Sequence, residues 1–283
     1  MLCFISGAVA QKAAHYKPDF SKPASIKGMR LVWHDEFNKN GKPDSANWTY
    51  EKGFVRNEEL QWYQQQNATC NDGLLVIEGR REQLPNTDYI AGNNDWRHNR
   101  QFATYTSSSL KTQGLQQWTF GRFEIRAKID TGMGSWPAIW TLGADNVPWP
   151  SNGEIDLMEF YRINDTATIL ANVAFGTNEA YKPKWFSNKI PFTHFLTKDP
   201  EWSRQFHTWT MDWDEQSISI YIDEELVNTT LLSLTVNADG TNPFLRPQYL
   251  LLNLAIGGNG GNPASTIFPV KYEVDYVRVY QKE

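Results

Sequence analysis

The run Ser217-Ile218-Ser219-Ile220-Tyr221-Ile222 places three isoleucines on one face of an extended chain and polar side chains on the other. A period of two is typical of a strand with one buried face. The run Tyr272-Glu273-Val274-Asp275-Tyr276-Val277-Arg278-Val279-Tyr280 has a similar character near the other end of the chain. From Arg30 to the second of these runs, short β-prone segments are separated by Gly, Pro, Asn and Asp. This pattern predicts an all-β sandwich or barrel.

No internal repeat, low-complexity tract or linker divides the chain, so residues 29–283 are predicted to form one domain. Sustained helical periodicity is absent from the sequence, apart from a short turn expected near residues 200–206. Two long irregular stretches, 84–103 and 176–206, are predicted to be loops that frame a cleft.

Composition limits the classes of function. The 283 residues carry 27 basic and 32 acidic side chains, a net charge of −5, which argues against nucleic-acid binding. No apolar run approaches the roughly 20 residues of a membrane-spanning helix. The chain has 12 Trp, 12 Tyr and 15 Phe. Aromatic rings in an acidic chain suit the binding of sugars, although they also suit the filling of a large β core.

The first residues resemble the end of a secretory signal peptide. Residues 1–10 are mostly apolar or small and end in Ala8-Val9-Ala10, an A-x-A cleavage pattern, although no Lys or Arg precedes them. We therefore expect a secreted or periplasmic protein, with residues 11–28 as a flexible leader. No sequence feature bears on the oligomeric state, and a monomer is the default expectation. Cys70 would then be the lone cysteine, a small buried filler.

The chemistry is predicted to lie in Gly153-Glu154-Ile155-Asp156-Leu157-Met158-Glu159-Phe160. Burying three acids among apolar residues is costly without a purpose. Glu154 and Asp156 share one face of a strand, but Glu159 joins that face only if one extra residue is accommodated. We therefore predict a β-bulge at Leu157-Met158.

Two glutamates on one face match the arrangement of a retaining glycosidase, where the carboxyl groups lie about 5–5.5 Å apart. One glutamate would be the nucleophile, and the other would act first as acid and then as base. Asp156 would hydrogen-bond the nucleophile, and mutual repulsion would raise one pKa. A solvated polar strand face and a carboxylate metal site are the alternatives, but no His lies nearby and the run is strand-like rather than loop-like.

Beyond this motif, an ordered series of segments resembles glycoside hydrolase family 16, particularly its laminarinase-like endo-β-glucanases, over nearly all of residues 30–281. The segments that carry the resemblance, besides 153–160 and the closing run 274–280, are Leu31-Val32-Trp33-His34-Asp35-Glu36-Phe37, Asn57-Glu58-Glu59-Leu60-Gln61-Trp62-Tyr63, Tyr105-Thr106-Ser107, Gly121-Arg122-Phe123-Glu124, Gly134-Ser135-Trp136-Pro137-Ala138-Ile139-Trp140-Thr141-Leu142-Gly143, Trp149-Pro150 and Leu252-Asn253-Leu254-Ala255-Ile256-Gly257-Gly258.

The resemblance implies a β-jelly-roll sandwich of two antiparallel sheets with an open concave substrate cleft. It implies Glu154 as nucleophile, Asp156 as its assistant and Glu159 as acid/base, with no cofactor for catalysis. Trp136 would stack on sugar, whereas Trp140 would belong to the core. Further candidates for substrate binding, weaker for the aromatic residues and His207, are Asn57, Glu58, Trp149, Asn172, Trp185 and His207.

Two other features bear on the resemblance. Many laminarinases carry a His on the strand after the catalytic one, where this chain has Asn172, which cannot titrate. This departure leaves the linkage preference open. A structural calcium on the convex side is common in the family, and Glu36 and Asp275 match positions associated with it.

The sequence thus predicts a retaining endo-glycosidase that cleaves internal bonds of a β-glucan, at β-1,3 linkages in laminarin or mixed-linkage polymers. One alternative is a galactanase acting on agar- or porphyran-like polymers, for which Arg56, Arg97 and Arg100 would supply positive charge. The other is a non-catalytic polysaccharide-binding protein on the same fold. The intact acid triplet argues against it.

Overall fold

A computed structural model describes residues 15–283. The signal-peptide prediction for residues 1–10 lies outside the described residues. The strands, numbered along the chain, are β1 (Met29–Asp35), β2 (Thr49–Tyr50), β3 (Gln61–Tyr63), β4 (Ala68–Asn71), β5 (Leu74–Gly79), β6 (Leu84–Pro85), β7 (Phe102–Ala103), β8 (Tyr105–Ser107), β9 (Ser109–Lys111), β10 (Gly121–Lys128), β11 (Ser135–Gly143), β12 (Glu154–Ile163), β13 (Thr166–Gly176), β14 (Pro183–Pro191), β15 (His207–Trp213), β16 (Ser217–Ile222), β17 (Glu225–Leu231), β18 (Gln248–Ile256) and β19 (Val270–Lys282).

Within residues 15–283, helical structure is confined to short segments between strands. The α-helices are α1 (Trp96–Asn99) and α2 (Thr193–Lys198), and the 3₁₀ turns are Gln65–Asn67, Trp202–Arg204, Leu232–Leu234, Pro243–Leu245, Gly258–Gly260 and Pro263–Ser265. Over residues 15–283, no helix is both long and apolar enough to cross a membrane.

Within the described part of the chain, the strands form two large antiparallel sheets. The eight-stranded sheet has the order β17-β16-β15-β10-β19-β5-β4, with β1 also paired to β19. The seven-stranded sheet has the order β14-β13-β12-β11-β18-β9-β2. Each sheet combines hairpins of consecutive strands with pairs from distant parts of the chain, such as β10 with β19 and β11 with β18, as in the jelly-roll arrangement that the sequence predicted.

The main core lies between these sheets, and alternation along each strand supplies it. In β13, Ile169, Ala171, Val173 and Phe175 belong to the core, so the residues between them face the opposite side. That opposite face of the seven-stranded sheet carries the cleft described below. Cys70 is part of the same core, in agreement with its predicted role.

The segment 15–28 is attached to the sandwich, contrary to the expectation of a flexible leader. It forms no strand or helix, but its backbone bonds to the eight-stranded sheet. The amide of Asp19 donates to Asp275 at 3.0 Å, and the carbonyl of Ser21 accepts from Arg278 at 3.1 Å. Buried charged side chains of the sheet thus take bonding partners from this segment, which the sequence pattern did not reveal.

The predicted loop 176–206 is also different in the structure. Pro183–Pro191 is the edge strand of the seven-stranded sheet, paired with β13 from Thr168↔Pro191 to Gly176↔Pro183. Its residues are mostly exposed or half-buried, so the alternation that marks an internal strand is weak. The other predicted loop, 84–103, contains the short pair β6–β7 and helix α1.

Candidate active site

Strand β12 carries the predicted bulge. Asp156 pairs with Asn172 of β13, and the next pair is Glu159 with Leu170, so β12 advances three residues where β13 advances two. The partner strand β11 shows the same shift, between Trp140 and Ile139. Leu157 and Met158 both point into the core, and Glu159 returns to the face of Glu154 and Asp156. The bulge prediction is confirmed.

Each catalytic candidate accepts hydrogen bonds from neighbouring side chains. The indole Nε1 of Trp149 donates to Glu154 at 2.6 Å, and that of Trp136 donates to Glu159 at 3.1 Å. Asn172 donates from Nδ2 to both Asp156 and Glu159, each at 3.0 Å. These donors fix the orientation of the carboxyl groups.

The three carboxyl groups differ in their electrostatics. Burial raises the pKa of Glu159 to about 7, and the charge of Glu154 adds to the rise. Burial and the charges of Glu159 and Glu154 hold the pKa of Asp156 well above its usual range. Burial also raises the pKa of Glu154, but bonds from Trp149 and Asp156 oppose the rise. A protonated Asp156 that donates to Glu154 therefore leaves Glu154 as the group most easily ionised.

The carboxyl groups lie in a cleft of about 660 Å³ that crosses the seven-stranded sheet. On one side β11 presents Trp136, Ala138 and Trp140, and β18 presents Asn253. On the other side lie β13 with Asn172 and the edge strand β14. Because its lining comes from five neighbouring strands, β18, β11, β12, β13 and β14, the cleft runs across the strands of the sheet.

Trp140 is buried, as its predicted core position requires, but it also lines the cleft. Trp140 lies in a separate cluster on the cleft face, and its indole donates to Asn253 at 2.7 Å. The guanidinium of Arg56 stacks over its ring, 5.0 Å from the centroid. The period of two gives the signal, because Trp136, Ala138 and Trp140 are on one face of β11.

The structure places Glu58, a predicted binding residue, away from the cleft lining. Asn57 lines the cleft, but Glu58 is exposed and does not, and the neighbouring Glu59 takes its place. The backbone has positive φ at both Asn57 and Glu58, which turns successive side chains away from a strand pattern. Glu59 is buried, and it accepts bonds from Asn57 at 3.2 Å and Gln61 at 2.6 Å.

The other predicted binding residues divide between cleft and distant positions. Trp149 and Trp185 line the cleft and are 38% and 41% exposed, so both present aromatic surface to solvent. His207 is on β15 of the eight-stranded sheet, stacked on Trp202 and bonded to Asp223, and does not line the cleft.

Neither carboxylate proposed for calcium is free to bind it. Glu36 forms an ion pair with Arg278 at 2.8 Å, and Asp275 forms one with Arg126. A guanidinium beside each carboxylate repels a divalent cation, so this pair does not fit a calcium site. Among residues 15–283, no three His, Cys, Asp or Glu side chains cluster as metal ligands. A calcium held mainly by backbone carbonyls stays a prediction.

Known proteins resemble this chain over most of its length. The family model "Glycosyl hydrolases family 16" matches residues 54–278. A β-glucanase of Rhodothermus marinus is 34% identical over 89% of this chain and 85% of its own length. A glucan endo-1,3-β-glucosidase A1 of Niallia circulans is 31% identical over 92% of this chain, which spans only 39% of that protein.

Solved structures also resemble this chain over most of its length. A structure from work on endo-acting O-glycanases of human gut bacteria that initiate mucin breakdown has a TM-score of 0.83 and 35% identity, with 93% of this chain and 94% of that one covered. A non-specific endo-β-1,3(4)-glucanase has a TM-score of 0.74 and 35% identity, with 96% and 99% covered.

Proposed function

Because the chain belongs to glycosyl hydrolases family 16, we propose that it is a retaining endo-β-glucanase that cleaves internal β-1,3 bonds of laminarin-type or mixed-linkage glucans. The observation that carries the proposal is the bulged strand β12, which sets three carboxyl groups of different pKa on the floor of an open cleft.

In the first step, the carboxylate of Glu154 attacks the anomeric carbon and forms a covalent glycosyl ester. The protonated Glu159 gives its proton to the departing glycosidic oxygen, which leaves as a hydroxyl. The bond from Trp149 and the proton on Asp156 both favour the ionised form of Glu154 that this attack requires.

In the second step, Glu159 is a carboxylate and takes a proton from water as the oxygen of that water attacks the same carbon. The ester bond breaks, Glu154 is regenerated as a carboxylate, and Glu159 is again protonated. A pKa of Glu159 near 7 suits a group that must both give and accept a proton near neutral pH.

The β-glucan assignment follows the relatives named β-glucanase, endo-1,3-β-glucosidase and endo-β-1,3(4)-glucanase. A second candidate is endo-cleavage of a mucin O-glycan. It is supported by the TM-score of 0.83 to the mucin O-glycanase structure, against 0.74 to the glucanase structure.

The arginines suggested for a sulfated galactan have other partners. Arg56 is paired with Glu51, Arg97 bonds to the carbonyl of Val55, and Arg100 bonds to the carbonyl of Glu59. The bonds of these three side chains hold the loop around residue 57 in place. These arginines therefore give no support to the galactan alternative.

A substrate panel tests the proposal. Laminarin, barley mixed-linkage glucan, agarose, porphyran and mucin O-glycans are incubated with the protein, and the products are separated by chromatography. We expect short oligosaccharides from laminarin or the mixed-linkage glucan. Cleavage of the galactose-containing polymers alone would keep the mechanism and replace the substrate.

The matched variants are Glu154→Gln and Glu201→Gln. The first removes the nucleophile with little change of shape and is expected to abolish turnover. The second changes a surface glutamate paired with Arg204 and is expected to leave turnover unchanged. A Glu154→Gln variant with activity within about tenfold of the parent would contradict the mechanism.

We also propose that the protein acts outside the cytoplasm, as a monomer. The A-x-A pattern of residues 8–10 and the polymeric nature of the substrate support export. Fractionation of the expressing cells and light scattering of the purified protein test the two statements. Retention in the cytoplasm, or a dimeric mass, would contradict them.

A further inference from the structure

The edge strand β14 presents a polar and aromatic face to the cleft. Trp185, Ser187 and Lys189 line the cleft at alternate positions. The residues between them turn the other way: Phe186 and Ile190 pack against the main core, and Asn188 bonds to the carbonyl of Val227. The three cleft-facing side chains are therefore fixed on that side by the packing of their neighbours.

The register aligns this face with the catalytic residues. Across β13, Trp185 is in line with Glu154, because Ala174 pairs with both. In the same way Ser187 is in line with Asp156 through Asn172, and Lys189 with Glu159 through Leu170. The backbone of each β14 residue is two strand spacings, about 10 Å, from the backbone of the β12 residue with which it is in line. This places the face beside sugars that flank the cleaved bond.

The charge of Lys189 is unlike that of the rest of the cleft. The other charged groups that line it are Glu154, Asp156, Glu159, Glu59 and Arg56, and Arg56 is neutralised by Glu51. Over residues 15–283 Lys189 forms no ion pair within 4.0 Å, and it is exposed. An ammonium group of this kind gives an otherwise acidic cleft one place where a negative group is favoured.

We propose that Trp185, Ser187 and Lys189 form a subsite for a sugar that carries an anionic substituent, a sulfate ester or a carboxylate. This inference rests on the proposed function. The exposed indole of Trp185 stacks on the apolar face of the sugar ring. The three N–H donors of Lys189 then bond to the anionic oxygens, and the hydroxyl of Ser187 adds a shorter-range donor.

The test compares charged and neutral forms of one backbone. The probes are laminarin, laminarin sulfate and carboxymethyl laminarin of matched length, with keratan sulfate and desulfated keratan for the galactose backbone. For each, kcat/KM is measured at low and high salt. The sulfated and carboxymethylated arms distinguish the two anionic groups.

Lys189→Met removes the charge and keeps most of the apolar stem. We expect the ratio of kcat/KM on charged over neutral substrate to fall about tenfold, the loss typical of one charged hydrogen bond. Lys184→Met is the matched control, since Lys184 is on the same strand and lies over Phe175 and Phe186 instead of lining the cleft. The ratio should not change in that variant.

Binding measurements keep the inference separate from the reaction. In the Glu154→Gln background, the affinity for charged probes should fall in the Lys189→Met double variant, and Trp185→Ala should weaken charged and neutral probes alike. An unchanged ratio in Lys189→Met, or an equal loss on both substrate forms, would overturn the inference. If the parent binds charged probes through Lys189 but cleaves none of the polymers, the proposed function fails and the subsite stands.

Discussion

At the scale of single residues, two glutamates of one strand are given different roles by their neighbours. Glu154 accepts from Trp149 and from Asp156, which oppose the effect of burial on its pKa. Burial raises the pKa of Glu159 to about 7 and the charge of Glu154 adds to the rise, although bonds from Trp136, Asp156 and Asn172 oppose it. One group is thereby biased towards the carboxylate and the other towards the acid, as double displacement requires.

Trp149→Phe tests the contribution of the indole to the nucleophile. Phenylalanine keeps an aromatic ring but removes the 2.6 Å bond to Glu154, so the pKa of Glu154 should rise. Because attack needs the ionised form, the acid limb of the kcat/KM profile should move to higher pH, by about one pH unit. The profile is measured with an oligosaccharide substrate.

Trp185→Phe is the comparison for that profile. Trp185 also lines the cleft, but among the described residues its indole donates to none of the three carboxyl groups. It should change KM without moving the acid limb. An acid limb at the same pH in Trp149→Phe and the parent would show that the indole does not tune Glu154.

At the scale of elements, the bulge in β12 and the pairing of β14 decide what the cleft contains. Leu157 and Met158 both lie in the core, so the bulge adds a core side chain and leaves the cleft-facing order intact. Removal of one of these residues would make β12 and β13 advance equally, and the last glutamate would still face the cleft.

Deletion of Met158 tests this reading of the bulge. We expect a folded protein that retains activity above the Glu154→Gln background, because the three carboxyl groups keep their face. The loss of one buried side chain should lower the free energy of unfolding by about 2–5 kcal/mol. Thermal unfolding and laminarin hydrolysis are the measurements. A folded deletion variant with no activity would show that the bulge itself sets the separation needed for catalysis.

At the scale of the whole molecule, the buried carboxyl groups of the cleft lower the free energy of unfolding when they are ionised. The pKa of Glu159 is near 7 in the folded protein against the ordinary value of 4.5, so the folded state holds this proton more tightly than the unfolded state. The stabilisation that comes from the bound proton is fully present below pH 4.5 and is lost as pH rises through about 7. The parent should therefore become less stable between these values.

Glu159→Gln tests this cost, since glutamine is neutral at every pH. The variant should match the parent near pH 4 and exceed it at pH 8, by up to about 3 kcal/mol. Chemical denaturation at the two pH values is the measurement, with Glu201→Gln as the control for a surface glutamate. Equal stability of variant and parent at pH 8 would mean that Glu159 is not held in an unfavourable site.

The fold class, the candidate catalytic strand and the need for a bulge could be predicted from the sequence alone. These follow from local rules: side chains alternate with a period of two, and three acids in an apolar run must share one face if they are to work together. Ser217–Ile222 and Glu154–Ile163 obey those rules because both are strands of sheets whose one face is packed on the core.

The residues that surround the carboxyl groups could be identified only from the folded chain. Glu59 lies at the cleft in place of Glu58 because of a backbone turn with positive φ at residues 57 and 58. Lys189 came into line with Glu159 through β13, 30 positions along the chain. Strand order, register and local turns place such neighbours, and they depend on packing between segments distant in sequence, which no local pattern records.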